Sequence, residues 1–528
     1  MTAAPTYVRV LLPLRLGWIP TYSSATPLEP GRRVCVELGS RRYDGVVWCS
    51  LAQPDLPPER IQPVLEVQED LPRVTPEELR FWQFLSDYYL CTLGEVYKAA
   101  YPLLKVRSEH TAADMLARLR ERLARREQDL AQKRHGERVK ERLRAGCEEL
   151  RRQIRALEQR EAAPQTQREL PGRPLAVTGG GRLAIYRERL RAVLDAGHQV
   201  LVLNPETAFC DRMEEDLRDE FGDRLQVFHS GKTPVRRRQA AQALREGGPA
   251  LVLGTRSALF LPFRDLALVI VDEEQDPAYK QAEPAPRYHG RDAAVALAGI
   301  HRAAVVLGAA IPSLETLLNV RLGKYKLLET GAPAPQAEII DLPAERRKNG
   351  MVGVFSRKLI DAVRQTDGPV VLLRGWERAD QVGEEAGRLF PGREVRILTL
   401  GALKREGAGG AALLAVLQAD ALISRDDFRG DERAAQIVGT LALFAPRVVI
   451  QTAVPARFSG GRSLDELLAE RQQFGFPPCT RLVEVRRQGS GEVLGRHFLP
   501  RDKNLAGRKA QLAASPAPGT YLDVDPVD

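Results

Sequence analysis

The chain has 528 residues, more than one hydrophobic core can serve, and a prior of about 100–200 residues per domain divides it into roughly three or four. Hydrophobic residues at 44% and charged residues at 28% exclude a disordered composition. Lys+Arg outnumber Asp+Glu by 78 to 69, and the resulting +9 favours a polyanionic partner such as nucleic acid without specifying a fold.

The six cysteines (Cys35, Cys49, Cys91, Cys147, Cys210 and Cys479) are scattered, with no C-x-x-C pair. That spacing argues against a disulfide framework and against a structural zinc site. Near the start, Tyr7 to Arg15 is an apolar run interrupted by arginines and Pro13, which reads as a strand rather than a signal peptide. No run approaches about 18 uninterrupted apolar residues, so the expectation is a cytoplasmic chain with no membrane span.

In chain order, residues 1–104 begin with strand-like runs at Val34–Leu38 and Asp44–Trp48 around Gly39, followed by a helix over Pro76–Tyr89. Residues 105–168 are a charged helical insert. Leu116, Leu119, Leu123 and Leu130 share one helical face and Val139, Leu143, Leu150, Ile154 and Leu157 another. The break at Lys133–Gly136 predicts a helical hairpin over 108–161, either a solvated arm laced with ion pairs or a DNA- or partner-contacting one.

From 169 to 330, buried-strand runs at Gln199–Leu203, Ala250–Leu253, Ala267–Val271 and Ala303–Leu307 alternate with helical pattern, the signature of a parallel sheet covered on both faces. A second, poorer α/β stretch covers 331–455, with strands near Val370–Leu373, Val395–Leu398 and Val448–Gln451. A small α+β domain at 456–528 completes this multidomain α/β reading.

The segment Thr178-Gly179-Gly180-Gly181-Arg182-Leu183 stands where a phosphate loop would, between a strand and a helix. A working loop needs Lys for the β- and γ-phosphates and Ser/Thr for Mg²⁺. Arg182 keeps the charge on a larger planar fork, and Leu183 cannot coordinate a metal. About ninety residues on, a strand ends in Asp272-Glu273-Glu274-Gln275, the placement of a Walker B element with a metal-linked Asp and a water-activating Glu. The pair reads as a relic nucleotide site, with Gly179, Gly181 and Arg182 as degenerate nucleotide contacts and no confident catalytic residue.

Taken with further strings, these residues resemble the PriA family (primosomal protein N′), the replication-restart helicases of bacteria. The strings are Gly254–Phe260, Asp272–Gln275, Tyr279–Gln281 with Arg287–His289, Leu307–Thr316, Phe81–Ala100, Asp427–Arg429 with Glu432-Arg433, and Leu468–Pro478. The resemblance implies an N-terminal 3′-end DNA-binding domain and two RecA-like lobes, the second degenerate. It implies DNA contacts at Trp18, Gly39, Arg256, Tyr279 and Tyr288, with Trp18 stacking on a terminal base. Trp18 reads equally well as a core residue of a small barrel. Ile19 and Gln62 replace the family's Asp and Lys at that site.

Other departures accompany these. The third motif carries Ala309 and Ile311 where the family has hydroxyls, the arginine finger positions fall near Phe444 and Arg447, and the zinc-binding cysteine pairs are missing. The resemblance therefore implies a restart protein that recognises stalled forks and D-loops and promotes loading of the replicative helicase without unwinding DNA. Its expected partners are branched DNA, loader proteins and single-stranded DNA-binding protein. It needs no zinc, and at most ATP/Mg is bound without hydrolysis. The alternative is an active ATP-dependent 3′→5′ helicase with a divergent loop, Arg182 taking the lysine's role.

Overall fold

The computed structural model describes residues 6–104, 112–131, 171–331, 336–423, 427–514 and 517–527, with scattered positions between 140 and 154. The strands Thr6–Leu11, Thr21–Ser24, Arg33–Leu38, Arg41–Leu51 and Glu66–Val67 pair antiparallel into one sheet. Alternate residues Val8, Val10, Val34 and Val36 turn inward with Tyr22 and Val47, as the two-residue period of a strand requires.

The helix Pro76–Tyr89 forms where it is expected and opens on a capping box. The Thr75 hydroxyl accepts from the Glu78 N–H at 3.1 Å, the Glu78 carboxylate accepts from the Thr75 N–H at 2.8 Å, and Pro76 opens the first turn. Its buried face (Phe81, Trp82, Leu85, Tyr89) continues into the core of the following α/β unit, where Phe81 packs on Phe260 at 5.9 Å.

The helix Ala112–Ala131 occupies the first arm of the expected hairpin. Arg151 reaches back to Glu127 at 2.7 Å, and Cys147, Leu150 and Ile154 are buried. The expected break at Lys133–Gly136 lies outside the described residues.

Next comes a seven-stranded, wholly parallel sheet. Its order is Lys326–Glu329, Leu175–Thr178, Ala304–Ala309, Leu266–Asp272, Gln199–Leu203, Ala250–Gly254 and Leu225–Phe228. Val200, Val202, Leu251, Leu253, Leu268 and Ile270 build one face and Leu201, Leu203, Val252, Val269 and Val271 the other. Both faces are covered, which is why these strands read as unbroken apolar runs.

A second parallel sheet runs Glu338–Asp341, Arg447–Thr452, Leu413–Val416, Val370–Leu373 and Val395–Leu398. Its core also takes in Phe209, from the helix Thr207–Phe221 of the first unit, which meets Phe444 edge-on at 5.8 Å. The final strands, Val493–Pro500, Thr480–Arg487 and Thr520–Val524, pair antiparallel beside the helix Leu505–Ala514. Among the described residues, no helix is long and apolar enough to cross a membrane.

Candidate functional site

The Thr178 end of a central strand and the start of the helix Arg182–Asp195 are separated by three glycines. A loop with the spacing G-x-x-x-x-G-K wraps phosphates with several N–H groups; here Gly179, Gly180 and Gly181 stand in that place. Gly179 sits at φ +100°, and its N–H is already donated to the Ala309 carbonyl at 3.1 Å. A Cβ there would stand 2.3 Å from the Thr330 hydroxyl. Gly181 takes φ +70° and caps the helix without any side-chain hydrogen bond.

Arg182 reaches from the loop to the end of the strand Leu266–Asp272. It is 7% exposed; its Nε donates to Asp272 Oδ1 at 3.2 Å, its Nη1 to the Gly179 carbonyl at 2.7 Å, and its Nη2 to Glu273 Oε1. The Tyr186 hydroxyl, one helical turn on, donates to the same Asp272 oxygen at 2.7 Å. Gly308 on the neighbouring strand leaves room for that ring, since a Cβ there would lie 1.6 Å from the Tyr186 oxygen. Both carboxylates that would serve Mg²⁺ and water are thus engaged by the chain's own cation. That arrangement runs against Arg182 acting as an outward-facing phosphate ligand.

Glu273 holds φ at +49°, in the left-handed region, and is fully buried. Burial pushes its carboxyl up to about 7, against the lowering pull of Arg182. The Gln275 amide donates to its second oxygen at 2.8 Å. One guanidinium facing two carboxylates leaves an excess negative charge, which a proton on Glu273 removes near neutrality.

Glu274 fixes the third-motif segment. It accepts from the Ser313 N–H at 2.8 Å and the Ser313 hydroxyl at 2.9 Å, and pairs with Arg291 at 3.1 Å. Beyond it, the two parallel-sheet units are joined by buried polar contacts. Lys404 pairs with Asp276, and Glu432 accepts from the Leu314 N–H at 3.0 Å while facing Arg471 at 3.4 Å.

The other expected residues fall in different places. Tyr279 and Tyr288 are buried. Tyr279 donates to the carbonyls of Asp272 and Leu203 at 2.6 and 2.9 Å, and Tyr288 to that of Arg256 at 3.2 Å. That burial contradicts the expectation that they face DNA: their rings fill the core behind the strand end. Arg256 is half-buried and donates to the Lys280 carbonyl at 3.1 Å and to that of Ala278, which ties down the same loop. Phe444 packs on Phe209 under the Arg212 guanidinium, and Arg447 pairs with Glu338 at 3.0 Å.

Trp18 is 57% exposed, so it is no core residue. It lines a cavity of about 260 Å³ with Leu14, Leu16, Ile19, Ser86 and Thr92. Gly39 sits in the tight hairpin turn joining Leu38 to Arg41, at φ +54°.

Tyr186, Thr330 and the Lys404–Asp276 pair escaped the sequence reading. Tyr186 alone left a signal, a polar ring four residues after Arg182 on one helix face.

A β-rich N-terminal domain and two parallel-sheet units flanking a strand-end carboxylate cluster define a multidomain α/β chain. Residues 9–102 match the family model described as the 3′DNA-binding domain of PriA. The chain is correspondingly similar to the replication restart protein PriA of several bacteria, and the resemblance drawn from its motifs is borne out. It is 34% identical to that of Bacillus subtilis over 195 residues, 36% of this chain and 24% of the relative. Identity with the Haemophilus influenzae protein is 38% over 180 residues, 33% of this chain and 24% of the relative. With the Rickettsia felis protein it is 29% over 350 residues, 64% and 48%. The matches therefore span from about a quarter to about half the length of these relatives.

Proposed function

We propose that this chain is a replication-restart scaffold that recognises branched DNA structurally and does not hydrolyse ATP. The observation that carries the reading is the buried Arg182, whose guanidinium engages both Asp272 and Glu273. A catalytic site of this kind needs those carboxylates free for Mg²⁺ and the attacking water, and a lysine free for the phosphates. Here the lysine's replacement is hydrogen-bonded to both carboxylates instead. The match of residues 9–102 to a 3′DNA-binding domain supports the DNA-binding half of the proposal, as does the exposed Trp18 beside its cavity, since an indole suits stacking on a base.

In this reading residues 1–104 hold DNA, 105–168 form an arm, 169–330 and 331–455 are the two helicase-type lobes, and 456–528 close the structure. Replicative-helicase loading proteins and single-stranded DNA-binding protein are the partners the scaffold would serve at a fork. ATP turnover with and without a forked duplex tests the proposal. No DNA-stimulated hydrolysis is the expected result; turnover abolished by Glu273→Gln would establish the active-helicase alternative.

A further inference from the structure

Of the four tryptophans, Trp82 is sealed in the core, Trp48 is half-buried and Trp18 lines the N-terminal cavity. Trp376 stands 65% exposed on the second parallel-sheet unit, with no part in the carboxylate cluster. An indole left in water forgoes the stabilisation its burial would bring, so a rigidly held exposed one invites a binding role.

The loop that carries it is tightly built. The Arg374 N–H donates to the Leu398 carbonyl at 2.9 Å, Arg374 Nη1 to the Glu377 carbonyl at 2.9 Å, and the Gly375 N–H to Glu377 Oε2 at 2.6 Å. A Cβ on Gly375 would stand 2.3 Å from the Ala421 methyl and 3.1 Å from the Gln418 carbonyl. Glycine therefore lets this loop close onto the turn that follows the strand Leu413–Val416.

The sheet order gives the place its meaning. Val370–Leu373 lies between Val395–Leu398 and Leu413–Val416, and its connection runs to the former. The connection from Leu413–Val416 departs the other way, to Arg447–Thr452. Open parallel sheets bind ligands in the crevice beyond the carboxyl ends of strands at such a switch point. The loop carrying Trp376 follows the strand Val370–Leu373 at that switch point.

Arginines Arg374 and Arg378 flank Trp376 in sequence, with the acids Glu377 and Asp380 among them. Arg374 has no ion pair with a carboxylate among the described residues, and the Glu377 carboxylate is engaged by the Gly375 N–H. Arg378 pairs with Asp380 at 2.8 Å on the open surface. A flat aromatic face with an arginine two residues before it in the same loop suits the π-face and phosphate of a nucleotide.

We propose that Trp376 is a stacking platform for an unpaired base of single-stranded DNA, with Arg374 as its neighbouring cation. The proposal rests on the DNA-binding reading above and adds a second contact, on a different sheet from Trp18.

The test compares the full-length chain with its Trp376→Ala and Trp376→Phe variants, using a fork with one single-stranded arm and a fully duplex fork. Trp376→Ala should weaken binding to the single-stranded-arm fork by about 5- to 150-fold, the range of one base-stacking contact. Duplex-fork affinity should stay unchanged, and Trp376→Phe should retain most of the binding. Equal affinity of Trp376→Ala and wild type on both forks overturns the proposal and leaves the ring to a protein partner. An equal loss on both forks also overturns it. If the wild type binds neither fork, the DNA-binding reading itself fails.

Discussion

The guanidinium of Arg182 and the carboxylate of Glu273 form a buried ion pair between the start of a helix and the residue that follows the strand Leu266–Asp272. Asp272 and Tyr186 complete the cluster around the same two groups. This pair has become part of what holds the first parallel unit together. Removing one partner of a buried pair leaves the other charge unpaired in a low-dielectric site. Arg182→Ala should lower unfolding stability by about 3–5 kcal/mol in urea titrations, and Arg182→Lys by less. A neutral effect of Arg182→Ala would show that the cluster is solvated and open.

Glu273 gives the cluster a pH signature. Its carboxyl ionises near 7 in the folded chain, against an ordinary 4.5. Between those values the folded chain keeps a proton that the unfolded chain has released, so this group's contribution falls as pH rises through the window and is flat above it. The size is on the order of 3 kcal/mol. His289, which burial pushes down to about 3, contributes with the opposite sign below pH 6.5. The informative quantity is therefore the difference between wild type and Glu273→Gln, measured by urea unfolding from pH 5 to 8. It should change across the window by the stated amount; a constant difference contradicts the assignment.

Lys404 and Asp276 tie the two parallel units across a buried surface. Lys404→Ala should cost about 3–5 kcal/mol by stranding the aspartate, and adding Asp276→Ala should recover most of it. Two independent, additive losses in that double-mutant cycle would mean that the pair is not coupled.

Gly308 is needed for the Tyr186 ring, whose oxygen would meet its Cβ at 1.6 Å. Gly308→Ala should destabilise by about 1–3 kcal/mol or more through overpacking. Tyr186→Phe in the same chain should relieve part of that, because the nearest atom is gone. Thermal unfolding of the single and double variants decides it.

Fork binding should weaken steeply with salt, because a basic surface binds DNA by releasing counterions. The slope of log K against log salt is expected on the order of −3 or steeper between about 50 and 200 mM. Fluorescence anisotropy across that range checks it; a flat response would remove the electrostatic basis of the DNA-binding reading.

Strongly patterned segments were legible in the sequence. The helix expected over Pro76–Tyr89 is where the structure has it, and the apolar runs at Gln199–Leu203 and Val370–Leu373 are strands of parallel sheets. Leu413–Val416 and Leu225–Phe228 escaped the sequence reading. At the site, motif position identified Arg182, Asp272 and Glu273 but not their mutual contact. That contact joins residues 90 and 91 positions apart, which local sequence pattern does not encode. Tyr279 and Tyr288 misled for the opposite reason. An aromatic beside a motif looks like a DNA contact, while only packing reveals that its hydroxyl serves a buried carbonyl.

The central claim is that Arg182 has taken the place of nucleotide in a chain that still binds DNA. The most direct measurement is the dissociation constant for a forked duplex with and without saturating Mg-ATP, with ATP turnover followed in the same samples. The account predicts one unchanged dissociation constant and no turnover above background. A nucleotide-dependent change in affinity, with turnover lost in Glu273→Gln, would contradict it.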